Sequence, residues 1–154
     1  MNTTLQPGIQ APDFSLPVSN QTGQISLSEF AGQKIVLLFF PGHASPELID
    51  QLTKFQAKAP DLEAQETRLL SISTTPPSEQ GLDFPILTDP TGQTAAGYGC
   101  LSHEGPIEPT VFILDEEGLI RRVYEAVKYP HLPNPAMVMR ALKKLAGVPK
   151  APPV

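Results

Sequence analysis

The segment KIVLLFF, residues 34–40, is the feature that most constrains the fold of this chain. Every residue after Lys34 is apolar, and such a run is typical of a strand that is covered on both faces of a sheet. The segments RLLSIS, residues 68–73, and PTVFILD, residues 109–115, have the same character. We therefore expect these three runs to form one buried sheet, with residues 34–40 at its centre.

The segment SPELIDQLTKFQAKA, residues 45–59, separates the first two runs and has apolar residues at helical spacing. Ser45 suits the N-cap position and Pro46 suits the first helical position, so the start of the helix is well marked. A strand, a helix and a second buried strand form a unit in which the two strands are almost always parallel. The predicted sheet is therefore at least partly parallel.

The segment LIRRVYE, residues 119–125, follows the third run after the turn sequence EEG, so these two strands are expected to form a β-hairpin. At the other end of the chain, residues 11–18 and 23–32 predict a short strand or hairpin followed by one helical turn. Ser26 and Glu29 are spaced as a capping box for that turn.

Two further helices are expected. Residues 89–99 predict a weak helix because two glycines lie near its end, whereas residues 134–147 predict a strong one. No internal repeat or linker divides the chain. We therefore predict a single domain over residues 1–147 and a loose proline-rich tail over residues 148–154.

Composition excludes several classes of function. The chain has 154 residues, a net charge of -5 and a pI near 5.1, which argues against a nucleic-acid or anionic-membrane surface. Its nearest basic cluster, Lys143 and Lys144, is expected to be a solvated helix face. The N-terminal sequence does not resemble a signal peptide and no run is long enough to span a bilayer, so we expect a cytoplasmic protein without membrane contact.

Cys100 is the only cysteine, so a disulfide framework within the chain, a CxxC pair and a cysteine-based zinc site are all excluded. The three histidines, His43, His103 and His131, are not at metal-ligand spacing. We therefore expect no metal and no other cofactor.

Three segments in order resemble the peroxiredoxins, in particular the bacterioferritin-comigratory or Q-type branch of the alkyl hydroperoxide reductase and thiol-specific antioxidant superfamily. The resemblance extends from about Gly8 to Leu145. It implies an α/β, thioredoxin-like fold with a central mixed sheet flanked by helices, a peroxiredoxin-type N-terminal extension, and an active site at the start of the first long helix. The segments are APDFSLPVSNQTGQISLSEFAGQKIVLLFFPGHASPEL, DFPILTDPTGQTAAGYG and TVFILDEEGLIRRVYE.

The catalytic segment of that family has the form P-x-x-x-T/S-x-x-C, in which the helix N-terminus lowers the pKa of the attacking thiol. On PGHASPEL, Pro41 matches the proline, Ser45 matches the Thr/Ser position and Leu48 falls where the cysteine belongs. A leucine cannot act as a nucleophile, so the resemblance implies a site without its peroxide-attacking group.

A second expected group is also missing. The family carries an arginine three residues before the phenylalanine of the late strand, and that position here is Pro109. Pro109 and Thr110 also resemble the cis-proline and threonine pair of the thioredoxin and TlpA-like branch, where SPEL would replace CxxC. The degenerate pocket is therefore expected to contain Pro41, His43, Ser45, Leu48, Pro109 and Thr110.

Two hypotheses remain open. In the first, the chain is a peroxiredoxin-like pseudoenzyme that acts by binding an unknown protein or ligand, and a homodimer is compatible with it. In the second, Cys100 makes the chain an antioxidant thiol oxidoreductase that reduces or senses peroxide, with His103 assisting and another protein supplying the reductant. A lone cysteine at a helix end is more often a buried structural residue, so the burial of Cys100 discriminates between the two.

Overall fold

The computed structural model describes residues 7–18, 23–40, 46–73, 86–89, 91–100, 109–125 and 135–146. Its strands are β1 (Ser15–Pro17), β2 (Gln24–Ser26), β3 (Lys34–Phe39), β4 (Thr67–Ser73), β5 (Ile86–Thr88), β6 (Thr110–Leu114) and β7 (Ile120–Glu125). Its α-helices are α1 (Pro46–Ala57), α2 (Ala59–Ala64), α3 (Gln93–Gly97) and α4 (Pro135–Ala146), and Leu27–Phe30 form one turn of 3₁₀ helix.

The main sheet has five strands in the order β5-β4-β3-β6-β7. β3 pairs in parallel with β4 and antiparallel with β6, while β4–β5 is parallel and β6–β7 is antiparallel. The mixed sheet, the central place of residues 34–40 and the β6–β7 hairpin are as the sequence predicts. The short strand β5 was not predicted, because its apolar stretch is brief and is preceded by proline.

The helical connection between β3 and β4 differs from the prediction in one respect. The single helix expected over residues 45–59 ends at Ala57, and a second helix, α2, begins at Ala59. Pro60 lies in the first turn of α2, and a proline has no N–H to donate to the carbonyl four residues earlier. The α1 helix therefore cannot run on through this position.

Alternate residues of β3 face opposite sides of the sheet, and two separate clusters form. Ile35, Leu37 and Phe39 belong to the first cluster, which we call the extension face because the N-terminal segment and α3 cover it. Val36 and Leu38 belong to the second cluster, the helix face, which α1, α2 and α4 cover. The core is thus two layers on either side of one sheet.

The N-terminal segment forms the two-stranded antiparallel sheet β1–β2 over the extension face. Leu16 and Leu27 from this segment are buried in the extension-face cluster. The Ser26 N–H donates a hydrogen bond of 2.6 Å to Glu29 Oε2, which is one half of the predicted capping box. The short strand, hairpin and helical turn predicted for this region are confirmed.

Both late helices that the sequence predicts are present. α4 agrees with the prediction, and Val138 and Leu142 bury its apolar stripe. α3 is shorter than the predicted 89–99 because Gly92 and Gly99, both at φ 74°, lie just outside its ends. Glycine adopts this left-handed conformation without steric cost, and the conformation ends a helix.

Candidate functional site

The position that the resemblance assigns to the catalytic cysteine lies where β3 leads into α1. Leu48 is in the first turn of α1, at the edge of the sheet where the parallel strands β3 and β4 end. Pro41, His43 and Ser45 lie outside the described residues, so their places in the pocket and the Ser45 cap stay predictions. The first turn of α1 therefore has a leucine at the position where the resemblance leads us to expect a thiolate.

The strand pairing brings Thr110 next to the end of β3. Thr110 is opposite Phe39 in the β3–β6 register, and its side chain is fully buried. Pro109, which precedes it, is half-buried and has no group that could carry a positive charge. The bond between Glu108 and Pro109 involves a residue outside the described ones, so the cis isomer stays a prediction.

Asp89 and Ser73 are buried polar residues at the same edge of the sheet. Asp89 Oδ2 accepts a hydrogen bond of 2.9 Å from the N–H of Ala95, and the Asp89 N–H donates to the Ser73 carbonyl at 2.8 Å. These bonds fasten α3 to the ends of β4 and β5. Asp89 therefore has a structural use that the sequence motifs did not reveal.

Cys100 is fully buried, just after α3. Its Sγ donates to the carbonyl of Tyr98 at 3.7 Å, and its N–H donates to the carbonyl of Ala95 at 2.8 Å. Cys100 belongs to the extension-face cluster, whereas α1 packs on the helix face through Leu52 and Phe55. The only thiol of the chain is therefore on the opposite side of the sheet from α1, the helix that contains Leu48.

Tyr98 shapes the surroundings of Cys100, and sequence reasoning did not single it out. Its ring packs against Phe39 and Phe112, at centroid distances of 5.1 and 5.2 Å. Burial raises the pKa of the Tyr98 phenol far above its usual value, and the charges of Asp13 and Cys100 add to this effect. The phenol therefore stays neutral, and it donates a hydrogen bond to the carbonyl of Pro12.

Two other kinds of feature, a metal site and a membrane-spanning helix, have no candidate in the part of the chain that the structure describes. No group of three or more His, Cys, Asp or Glu side chains there is arranged to hold a metal ion. None of the described helices combines the length and the apolar character needed to cross a membrane.

The family model, the related sequences and the solved structures that match this chain all belong to the peroxiredoxins or to the wider AhpC/TSA family. The model of the AhpC/TSA family matches residues 7–123. The chain is 32% identical over 128 residues to alkyl hydroperoxide reductase E of Mycobacterium bovis, which covers 76% of this chain and 83% of that protein. It is 27% identical over 139 residues to peroxiredoxin Bcp of Escherichia coli, covering 80% and 88% of the two chains. Among solved structures, peroxidoxin BcpB from Mycobacterium tuberculosis has a TM-score of 0.78 at 23% identity and covers 95% of this chain and 99% of its own.

Proposed function

The chain belongs to the AhpC/TSA family and has its peroxiredoxin-like, thioredoxin-type fold, and we propose that it is a pseudoenzyme that has lost the peroxidase chemistry and acts by binding. The proposal rests on one observation above all. The only thiol in the sequence, Cys100, is fully buried on the face of the sheet opposite α1, while the catalytic position in α1 is Leu48. A peroxide reaction needs an accessible thiolate at that position, because the thiolate is the attacking species.

The loss of the arginine supports the same proposal from a different part of the sequence. Stabilisation of developing negative charge by a positioned donor is a large contribution to catalysis, commonly about a hundredfold or more in rate for one donor. Pro109 has neither a charge nor a side-chain donor, and it also lacks a backbone N–H. Two positions remote in the sequence, 48 and 109, have therefore each lost the function that the family chemistry requires.

The alternative function, a thiol oxidoreductase that uses Cys100, has less support. A thiol that is buried among Tyr98, Phe112 and other apolar side chains would meet peroxide only after the extension face opened. Such a thiol behaves as a small apolar core residue. We therefore assign Cys100 to the core.

The deciding experiment is stopped-flow reaction of the wild-type chain and of Cys100→Ser with hydrogen peroxide and with an organic hydroperoxide. We expect both proteins to consume peroxide no faster than buffer. A rapid phase in the wild type that disappears in Cys100→Ser would overturn the pseudoenzyme proposal and establish the alternative.

A thiol-titration control separates an inert thiol from an inaccessible one. Cys100 should not react with a chromogenic disulfide reagent in the native protein, and it should react fully once the chain is unfolded in urea. Rapid labelling of the native protein would show that the extension face opens readily, which would weaken the argument from burial.

We also propose a cellular location and an oligomeric state for the protein. It acts in the cytoplasm, and its functional unit is a monomer or a homodimer that offers a binding surface rather than a redox site. Sedimentation velocity over a range of concentrations distinguishes the two forms.

A further inference from the structure

A groove between β7 and α4 has a strongly basic lining, and the sequence alone did not reveal it. The groove has a volume of about 210 Å³. Three of its lining side chains are basic and exposed to solvent, namely Arg122, Arg140 and Lys144. We call this the basic groove, and its full lining is Arg122, Tyr124, Met137, Arg140, Ala141 and Lys144.

The fold brings these three cations to one side of the sheet. Arg122 is opposite Ile113 in the β6–β7 register, and opposite residues of paired strands point to the same face. Ile113 is in the helix-face cluster, so Arg122 points to the face on which α4 packs. Arg140 and Lys144 are one turn apart on α4, or about 6 Å along its axis, and therefore lie on one stripe of that helix. Long side chains from these three positions can converge on one small ligand.

No described residue neutralises the cations of the basic groove. α4 contains no acidic residue, so Arg140 has no carboxylate three or four positions away. In β7, the neighbouring Arg121 points to the other face of the sheet and pairs with Asp115 at 2.8 Å. No ion pair among the described residues involves Arg122, Arg140 or Lys144. In a chain of net charge -5, the groove is therefore a local excess of positive charge that favours an anion.

The outer edge of β7 limits the form that this anion can take. The N–H of Ile120 donates to the carbonyl of Ile9 at 2.9 Å, and the carbonyl of Ile120 accepts from the N–H of Gly8 at 2.7 Å. Gln10 forms an antiparallel bridge with Leu119 beside these bonds. The N-terminal segment therefore occupies this part of the edge, and a peptide cannot add there as a further strand. A ligand of the groove has to bind the side chains.

The number and kind of the cations suit a phosphate monoester. Such a group carries a charge of about -1.5 to -2 at neutral pH and has three strong acceptor oxygens. A guanidinium pairs with two phosphate oxygens at once, and a lysine ammonium adds a compact charge. A carboxylate has one charge and two oxygens, so it would match fewer of the donors of Arg122, Arg140 and Lys144.

The size and the remaining lining of the groove indicate the rest of the ligand. Pockets for drug-sized ligands are about 300 to 1,000 Å³, so the basic groove fits a smaller molecule. Met137 is half-buried and Ala141 is buried, and both line the groove beside the cations. The ring of Tyr124 packs against the helix-face cluster and continues this apolar floor. A small organic group attached to the phosphate would lie on the floor and be shielded from water.

We propose that the basic groove binds a small organic phosphate monoester, whose phosphate accepts from Arg122, Arg140 and Lys144 and whose organic part lies on Met137 and Ala141. The inference rests on the proposed binding function and gives its ligand a chemical class. A phosphorylated segment of a protein is the weaker candidate, because the occupied edge of β7 gives its backbone no partner. A nucleic acid is also weaker, since each of its phosphodiesters carries one charge and the rest of this chain is acidic.

The test is titration of the ¹⁵N-labelled full chain with phenyl phosphate, followed by the chemical shifts of the backbone amides. We expect the resonances of residues 122–124 and 137–144 to shift together and to saturate. Binding should weaken as salt is raised from about 0.05 M to about 0.5 M, because the cations are exposed and are screened.

Two variants with equal loss of charge locate the site. Arg140→Gln/Lys144→Gln should bind phenyl phosphate at least about tenfold more weakly, a change of about 1.4 kcal/mol. Lys54→Gln/Lys143→Gln also removes two positive charges, one of them from α4, but neither residue lines the groove, so it should retain the wild-type affinity. All four side chains are exposed, so both variants should fold as the wild type does. Equal affinities of the two variants would overturn the proposal.

Other ligands test each part of the assignment. Methyl phenyl phosphate has the same ring but a single negative charge, and affinity equal to that of phenyl phosphate would show that a dianion is not recognised. Equal affinity for inorganic phosphate would show a site for isolated anions without a use for the apolar floor. Tighter binding of a phosphoserine peptide would assign the groove to a phosphorylated protein, and tighter binding of a duplex oligonucleotide would assign it to nucleic acid. Each of these results would overturn the proposal.

The failure of this inference is separable from failure of the proposed function. If peroxide consumption depends on Cys100 while phenyl phosphate still binds at the groove, the pseudoenzyme proposal fails and the groove stands. If no peroxide is consumed and Arg140→Gln/Lys144→Gln binds phenyl phosphate as the wild type does, only the inference about the groove fails.

Discussion

At the scale of single residues, the proposed function depends on Leu48 and Pro109, which stand where the resemblance leads us to expect a cysteine and an arginine. The β3–β6 register puts Thr110, beside Pro109, next to the strand end that leads towards Leu48. Positions 48 and 109 therefore lie at one edge of the sheet, although they are far apart in the sequence. Restoring one group without the other tests whether the remaining pocket is intact.

We predict that Leu48→Cys alone gives little peroxidase activity, since no arginine stands at position 109 to stabilise the thiolate and polarise the peroxide. Leu48→Cys/Pro109→Arg should react about a hundredfold faster than Leu48→Cys, the usual contribution of one positioned donor. Pro109→Arg alone is the control and should be inactive. Robust turnover by Leu48→Cys alone, measured as peroxide consumption, would show a pocket better preserved than these losses suggest.

A second prediction at the scale of single residues concerns how Tyr98 makes the unfolding free energy depend on pH. Burial raises the pKa of its phenol above the unfolded value of about 10, so the folded state holds the proton more tightly than the unfolded state. The stabilising contribution is complete below about pH 10 and is lost as pH rises towards the folded pKa. In this window the unfolding free energy should fall by about 1.4 kcal/mol per pH unit from this group.

Urea unfolding of the wild type and Tyr98→Phe at about pH 8 and about pH 11 measures this effect. The variant should be about 1 kcal/mol less stable at the lower pH, because the Pro12 carbonyl loses its donor. Between about pH 8 and about pH 11, the unfolding free energy of Tyr98→Phe should fall by less than that of the wild type. An identical loss in both proteins would mean that Tyr98 does not titrate differently in the two states.

At the scale of elements, the β6–β7 hairpin depends on the carboxylate of Asp115. Its Oδ1 accepts hydrogen bonds from the N–H groups of Glu117 and Leu119, at 2.9 and 3.0 Å, and its Oδ2 accepts from Arg121 Nε at 2.8 Å. Gly118 completes the turn at φ 81°, which suits glycine. One side chain thus fixes both the turn and the first arginine of the edge strand.

We predict that Asp115→Ala lowers the unfolding free energy by about 2 to 4 kcal/mol, because it removes the acceptor of two backbone N–H groups and of one guanidinium. Asp115→Asn should cost about half as much, since its amide oxygen can still accept from the turn while the charge facing Arg121 is lost. Denaturant unfolding of both variants checks this order. Equal losses in the two variants would mean that the ion pair, rather than the turn, contributes most of the effect.

At the scale of the whole molecule, the main sheet separates the two clusters, and we predict that they unfold as one cooperative unit. Ile72 lies in the extension-face cluster and Ile113 in the helix-face cluster, and both are fully buried. Their side chains lie on opposite faces of the sheet, so they belong to different clusters although both strands are neighbours of β3. A single domain over residues 1–147, as the sequence predicts, would unfold through both clusters at once.

Ile72→Val and Ile113→Val should each destabilise the chain by about 0.5 to 1.5 kcal/mol. In the double variant the two losses should add to within about 0.5 kcal/mol, and unfolding should remain one transition. Near-ultraviolet and far-ultraviolet circular dichroism provide two independent probes of this unfolding transition. Transitions that separate, with each variant affecting only one of them, would contradict a single folding unit.

Much of this protein was predictable from the sequence alone, because its main signals are local. The apolar runs at residues 34–40, 68–73 and 109–115, the helix over 135–146 and the turn before residue 120 depend on periodicity and turn chemistry. The interpretation of Leu48 and Pro109 as replacements for a cysteine and an arginine also depends only on local sequence.

The tertiary structure decided the properties that depend on which segments meet. The strand order brings Thr110 beside Phe39 and buries Cys100 on the face away from α1, and no spacing in the sequence encodes either relation. The same is true of Arg122, Arg140 and Lys144, which line one groove only because α4 lies beside β7. Charge density and burial are properties of surfaces in space, and this is why they emerged only with the fold.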